Sequence, residues 1–186
     1  MARRKKTEEP TSPTLSLKHM WVLNLLSHYS GRSLSIKEIA RGLEVRERSL
    51  RSVVDDLYRL GMVRRRTGKD GPRFSLNQRN SWTRQARAVL NLVYLDPLLD
   101  DLSSISHKVV LFGEAAYGGE AVDQGIDLFV VTTKRNRKKV LHTLETSALN
   151  GRLRPTVVDG EELAALPRRD RALYDQVSRG QVLWER

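Results

Sequence analysis

Apolar positions recur at helical spacing in "KHMWVLNLLSHYS", where Met20, Leu23 and Leu26, with Trp21, Val22 and Leu25, form one broad face. This pattern predicts a buried first helix, which "GRSLS" interrupts. Ser35 followed three residues later by Glu38 is the signature of a capping box. It opens a second helix, "IKEIARGL", with Ile36, Ile39, Ala40 and Leu43 inward. After a short turn at Glu44 and Val45, "RERSLRSVVDDLYRL" sets Leu50, Val53, Val54, Leu57 and Leu60 on one helical face. Gly61 supplies the left-handed residue at which such a helix stops. "MVRRRTGKDGPRFSLN" then reads as two short strands around a turn at "GKDG".

"SWTRQARAVLNLVYL" carries a helical stripe of Trp82, Ala86, Val89, Leu90 and Val93 with no closing glycine. It is too short to form a core and is expected to bury its stripe between domains or against a second copy. Pro97 predicts the start of another helix, "PLLDDLSSI", because proline is well placed in a first turn. Beyond it, "KVVLFG" and "IDLFVVT" read as buried strands, and "RNRKKVLHTLET" as a helix with Val140, Leu141 and Leu144 inward. "LRPTVV" reads as a strand, "RALYDQVSRG" as a helix and "QVLWER" as a last strand. The expected fold class is therefore α+β. A polar, disordered arm (1–16) leads to a helical domain with a hairpin (17–80), then a connector helix (81–95) and a small α/β domain (96–186).

Charge sharpens this division. The net charge is +11 over 186 residues. From Met1 to Trp82 there are 18 Lys and Arg against 8 Asp and Glu, whereas the remainder has 15 against 14. A basic half joined to a neutral half points to a nucleic-acid-binding module fused to something else; the plainer reading is a solvated surface with a basic tail. There is no cysteine, which excludes disulfides and thiolate metal sites. No apolar run reaches membrane-spanning length and the basic start lacks a signal-peptide core, so a soluble, cytoplasmic protein is expected. His19, His28, His107 and His142 show no metal-ligand spacing, and Ser, His and Asp form no recognisable nucleophile motif.

Three helices followed by a hairpin, with the run from Val53 through Leu57, Leu60, Gly61, Met62 and Val63, resemble the winged helix-turn-helix family over roughly Leu17 to Asn77. The resemblance implies that the third helix enters the major groove of double-stranded DNA while the hairpin touches the backbone or the minor groove. Arg46, Arg48, Arg51 and Ser52 lie at the leading end or off the apolar face of that helix, where arginine can bridge O6 and N7 of guanine. Arg64, Arg65, Arg66, Lys69 and Arg73 crowd the hairpin and are expected to meet phosphates. Asp55 and Asp56 repel phosphate, so the far end of the helix is expected to point away from DNA.

"LFGEAAYGGEAVDQGIDLFVV" resembles the minimal nucleotidyltransferases of the DNA polymerase beta-like superfamily, and "LYDQVSRGQVLWER" resembles the end of that family's domain. The resemblance covers roughly Asp96 to Arg186. Leu111, Phe112, Gly113, Ala116, Gly118, Ile126, Asp127 and Leu128 keep the pattern. The family's phosphate-supporting serine is Glu114 here, and the first acid of its Asp-x-Asp pair is Gly125. The third acid of the family falls near Arg154; Asp159 is a poor substitute, and Asp123 comes too early to replace Gly125. Mg²⁺ needs several oxygens, so Asp127 alone is a weak ligand and the domain is expected to be inactive. The surviving Asp127 is expected to accept hydrogen bonds from the "GEAAYGG" turn. "KRNRKK", from Lys134 to Lys139, is expected near the mouth of the old site, where it could meet phosphates of a nucleotide or of DNA; a plain solvated helix start is the equal alternative.

The leading expectation is a DNA-binding transcriptional regulator, a homodimer without cofactor. Its second domain would serve dimerisation or the sensing of a ligand, with a nucleotide one possibility. The competing expectation is a working Mg²⁺-dependent nucleotidyltransferase acting on RNA or protein, and a third reading is a structural adaptor with no specific DNA site.

Overall fold

The computed structural model describes residues 14–29, 31–119 and 125–186. Most of the basic arm, and Asp123, lie outside the described residues. The chain forms two units that divide between Asn77 and Gln78. The fold is mixed α+β, with one three-stranded and one four-stranded sheet.

The first unit runs α1 (Leu17–His28), β1 (Leu34–Ser35), α2 (Ile36–Gly42), a 3₁₀ turn (Glu47–Ser49), α3 (Arg51–Arg59), β2 (Val63–Gly68) and β3 (Gly71–Leu76). Ser35 caps α2 as expected: its hydroxyl accepts from the Glu38 amide at 3.2 Å while Glu38 takes the Ser35 N–H at 2.7 Å. Val22, Leu23, Leu26, Ile39, Leu50, Val54, Leu57, Met62 and Phe74 build the core. Gly61, at φ +68°, turns the end of α3 into β2.

Two expectations fail here, and one strand was not expected. Trp21 is 48% exposed, because Val22 and Leu23 occupy the inward side of α1. The third helical segment is not one helix from Arg46, since its first turn is 3₁₀ and the α-helix begins at Arg51. The "GRSLS" break contains β1, which pairs antiparallel with β3 (Leu34 opposite Phe74) and gives the order β1-β3-β2. A two-residue strand has no periodicity to betray it.

The second unit begins with α4 (Ser81–Ser103), capped by the Asn80 side chain on the Thr83 amide. Pro97 sits inside this helix and does not start a new one. It removes one N–H, that owed to the Val93 carbonyl, and α4 continues because Leu95, Leu98 and Leu102 are buried against the sheet. Then follow β4 (Lys108–Phe112), the single turn α5 (Gly113–Ala116), β5 (Ile126–Val131), α6 (Arg137–Thr146), β6 (Leu153–Val158), α7 (Gly160–Arg169), α8 (Arg171–Ser178) and β7 (Gln181–Glu185).

The sheet order is β6-β5-β4-β7, with β5 and β6 parallel and the other pairs antiparallel. Pro155 is tolerated because β6 is an edge strand, whose outward groups need no ladder partner. Alternation along β5 sends Ile126, Leu128 and Val130 to a core with α4, α5 and α6, while Phe129 and Val131 join the core under α7 and α8. Leu141 is 38% exposed, so only Val140 and Leu144 of α6 face inward. Among the described residues no helix is long and apolar enough to cross a membrane.

Candidate functional site

In the first unit, α3 and the hairpin carry the exposed cations. Arg46 and Arg48 lie on or beside the 3₁₀ turn, and Arg51 and Ser52 on the first turn of α3; all four are exposed. Arg64, Arg65, Arg66 and Lys69 are exposed on the hairpin. Because strand side chains alternate, Arg64 and Arg66 leave one face of β2 and Arg65 the other, so the hairpin is cationic on both sides. A concavity of about 510 Å³ lies between the start of α2, the 3₁₀ turn with Arg51, and the hairpin tip at Asp70 and Pro72. The fold thus brings the leading end of α3 and the hairpin to one surface.

Two hairpin arginines have partners. Arg73 donates through Nη2 and Nε to the Ser33 carbonyl at 2.7 and 3.1 Å, and pairs with Glu38 at 3.0 Å. Its guanidinium is therefore committed to joining β3 to the start of α2, which argues against its expected phosphate role. Arg64 donates to Asn77 Oδ1 at 3.2 Å, and Asn77 in turn donates to the Gly61 carbonyl. No ion pair engages Arg46, Arg48, Arg51, Arg65, Arg66 or Lys69 among the described residues. Lys37, unmarked in the sequence pattern, also lines the concavity, as do Glu38, Glu47 and Asp70. Lys37, Arg51 and Arg73 balance Glu38, Glu47 and Asp70 in this lining. Asp55 is exposed, whereas Asp56 pairs with Arg59 at 3.3 Å.

Ser16, His19 and Asp56 meet, although no spacing suggested it. Ser16 Oγ lies 2.8 Å from His19 Nδ1, and His19 Nε2 lies 3.7 Å from Asp56 Oδ2. The Ser16 N–H also donates to Nδ1 at 3.1 Å, so buried His19 serves as the third-position partner of a helix cap. An amide already engages the nitrogen that would have to act as base, and α1 gains its start from the arrangement.

In the second unit the strand register gathers the residues on which the nucleotidyltransferase resemblance rests. Asp127 on β5 stands between Phe112 on β4 and Arg154 on β6. Arg154 thus occupies the neighbouring position at which the resemblance places a third acid. Gly113, at φ +68°, has no Cβ to fill the space taken by Asp127; one would sit 2.4 Å from Asp127 Oδ2. Gly125, at φ +81°, lies under Arg154, whose Nε is 2.9 Å from where a Cβ would be. Glu114 is exposed at the start of α5 and folds over Gly119, where a Cβ would lie 2.4 Å from its Oε2. Burial holds the Asp127 carboxyl above the usual aspartate range, with the Arg154 charge opposing.

Two expectations about this site are corrected. No hydrogen bond reaches the Asp127 carboxylate from the Gly113–Gly119 turn among the described residues; that turn is closed on itself, the Gly119 N–H donating to the Glu114 carbonyl at 2.8 Å. "KRNRKK" is not near Asp127. It follows the far end of β5, where Val131 pairs with Lys108, about 13 Å along the strand from Asp127. There Lys134 pairs with Glu161 at 2.6 Å and Arg137 with Glu162 at 2.6 Å. Both acids belong to α7, a helix the apolar pattern missed. Asp159 caps it, accepting from Glu161 and Glu162 amides at 3.0 and 2.9 Å. Those amide bonds, the Glu162 one foremost, hold the Asp159 carboxyl below its ordinary range. The Asp-x-x-Glu spacing of a capping box was the available signal, masked by Pro167 inside the helix.

Asp127 is the one carboxylate that the register places at this position, and its β6 neighbour is a cation. Mg²⁺ binding calls for several oxygens, so these residues do not fit the ion. Among the described residues no three His, Cys, Asp or Glu side chains converge as a metal site. No protein-family model, curated protein sequence or solved structure matches this chain.

Proposed function

We propose that this protein is a DNA-binding regulator whose first unit reads duplex DNA as a winged helix. In the same reading the second unit, a nucleotidyltransferase-like frame without a metal-ligand set, serves assembly or sensing. The carrying observation is the set of exposed cations on the leading end of α3 and on the hairpin, two segments that meet along one concavity. Arg46, Arg48 and Arg51 stand at the leading end of α3, and Arg65, Arg66 and Lys69 on the hairpin. The element order α1-β1-α2-α3-β2-β3 with sheet order β1-β3-β2 supports the winged-helix reading.

Such a helix end can offer arginine forks to base edges, while the hairpin cations neutralise phosphates. Asp55 and the exposed Tyr58 follow along α3, which favours contact through its first turns. A homodimer is part of the proposal, supported by Trp82, Val89 and Val93, which are 58%, 51% and 64% exposed along α4. Ala86 of the expected stripe is instead buried. For the second unit, the Asp127–Arg154 neighbourhood and Gly125 favour a non-catalytic role.

Selection of duplexes from a random pool by the full chain at physiological salt tests the reading. The expected result is a defined motif, relaxed in Arg51→Ala and bound more weakly but with unchanged preference in Arg65→Ala. No enrichment over the starting pool, or equal binding by both variants and the parent, overturns it.

A further inference from the structure

Protein interiors leave few voids larger than a water molecule. Between the four-stranded sheet and the α7–α8 pair, however, lies a cleft of about 430 Å³. Its floor is Val110, Phe129 and Val131, at most 6% exposed, so the cleft reaches the buried face of the sheet. The gap has a cause in sequence. α7 turns Ala164 and Pro167 toward it where longer side chains would close it, and Leu163 and Leu166 pack to either side. At its mouth stands Val182, 52% exposed.

Val182 faces the cleft because of a register shift. β7 pairs Trp184 with Val109 and Val182 with Val110, so Leu183 is the extra residue of a bulge. Without that bulge Val182 and Trp184 would share a face; with it, Trp184 and Leu183 pack on the opposite core. Gly180 lets the chain enter β7 tightly, since a Cβ there would lie 2.6 Å from Val110 Cγ1 and 2.7 Å from the Leu111 carbonyl oxygen. Bulge, glycine and small helix residues together hold the cleft open.

The polar groups on its lining are few. Lys108 is paired with Glu185 at 2.8 Å, so the cation brings its own counter-charge. The hydroxyls of Tyr174 and Ser178 have no hydrogen-bond partner among the described residues, and both line the cleft. Among the described lining residues Lys108 is the one cation and it is neutralised, so the lining does not favour an anionic guest, while the Tyr174 and Ser178 hydroxyls are available to a neutral one. We infer that this cleft binds a small uncharged apolar molecule, aromatic or branched aliphatic, of roughly ten to fifteen non-hydrogen atoms with one hydrogen-bonding group. Asp127 lies on the same sheet face but beyond Phe129 toward the other end of β5, so this site is separate from the one around Asp127 and Arg154. The cleft belongs to the second unit alone, so its test is independent of DNA binding.

The full-length protein, with labelled Val and Leu methyls, is titrated with 2-naphthol and, separately, with 2-naphthoate, each up to 1 mM at pH 7. Saturable shifts are expected at Val110, Val131, Leu166 and Val182 with 2-naphthol, with a dissociation constant on the order of 100 µM. Leu111, Leu128 and Val140, on the other core, stay in place. The carboxylate binds at least about fivefold more weakly. Ala164→Phe, which fills the cleft, weakens 2-naphthol at least about tenfold; Val182→Asp, a charge at the mouth, does the same without touching the floor and serves if the first variant misfolds. Absence of saturable shifts, equal shifts on both cores, undiminished binding in a folded variant, or tighter binding of the carboxylate each overturns the inference.

Discussion

Replacing Arg73 with alanine separates a role in the fold from the proposed role in DNA contact among the hairpin arginines. The wild-type guanidinium makes two charged hydrogen bonds to the Ser33 carbonyl and an ion pair with Glu38. Hydrogen bonds from charged donors contribute about 1.5–3 kcal/mol when well buried. This side chain is 32% exposed and the Glu38 side chain 44%, so the ion pair adds between about 0 and 1 kcal/mol and water replaces part of the rest. The net loss expected is about 1–2 kcal/mol. For a unit of this size each kcal/mol moves the melting temperature by about 4–8 °C. Urea denaturation should show a lower midpoint with an unchanged slope, since no new surface is exposed. Arg65→Ala is the counterpart. Arg65 has no ion-pair partner among the described residues, so stability should stay within about 0.5 kcal/mol. Its loss should instead flatten the dependence of DNA affinity on salt by about 0.9 in the logarithmic slope. Arg73→Ala should leave that slope unchanged. If Arg73→Ala flattened the salt dependence and kept full stability, the assignment of Arg73 to the fold would be wrong.

Other outcomes follow from the second unit. Gly118→Ala should cost about 3 kcal/mol or more, read by thermal melting. A Cβ there would lie 1.7 Å from the Arg84 carbonyl oxygen, at a residue with φ +70°. Asp127→Asn should raise the melting temperature at pH 7. The folded-state carboxyl has a raised pKa, so ionising it disfavours the fold; the advantage should shrink as pH falls through that pKa and vanish below the unfolded aspartate value, and a constant difference across pH 3–8 would refute the assigned cause. Gly125→Asp should produce no metal-dependent nucleotide transfer, because the new carboxylate would sit against Arg154; incorporation of radiolabelled triphosphate with Mg²⁺ or Mn²⁺ is the check. Sedimentation at micromolar concentration should show a dimer for the parent and a monomer for Val89→Asp, whereas a monomeric parent sinks the homodimer proposal.

Much of the secondary structure was legible in the sequence because its causes are local. Helical spacing in Leu50, Val53, Val54 and Leu57, the Ser35–Glu38 cap and the left-handed Gly61 each depend on residues within a few positions. The β4, β5 and β6 segments were equally plain as short apolar runs. What tertiary structure decided depends on partners far along the chain. α4 passes through Pro97 because burying Leu95, Leu98 and Leu102 outweighs one missing hydrogen bond. β1 exists only because β3 comes back to pair with it. Arg73 and Arg65 look alike in the sequence, and one is tied to Ser33, forty residues away, while the other points to solvent. Arg154 could be named as Asp127's neighbour from the sequence only through a resemblance, and the parallel register of β5 and β6 is what sets the two side by side. The same register, through the direction of β5, carries "KRNRKK" to the opposite end of the sheet. A side chain's type is written in the sequence, but which charge stands next to it is settled by strand order and register, and those follow from how the whole chain buries its apolar faces.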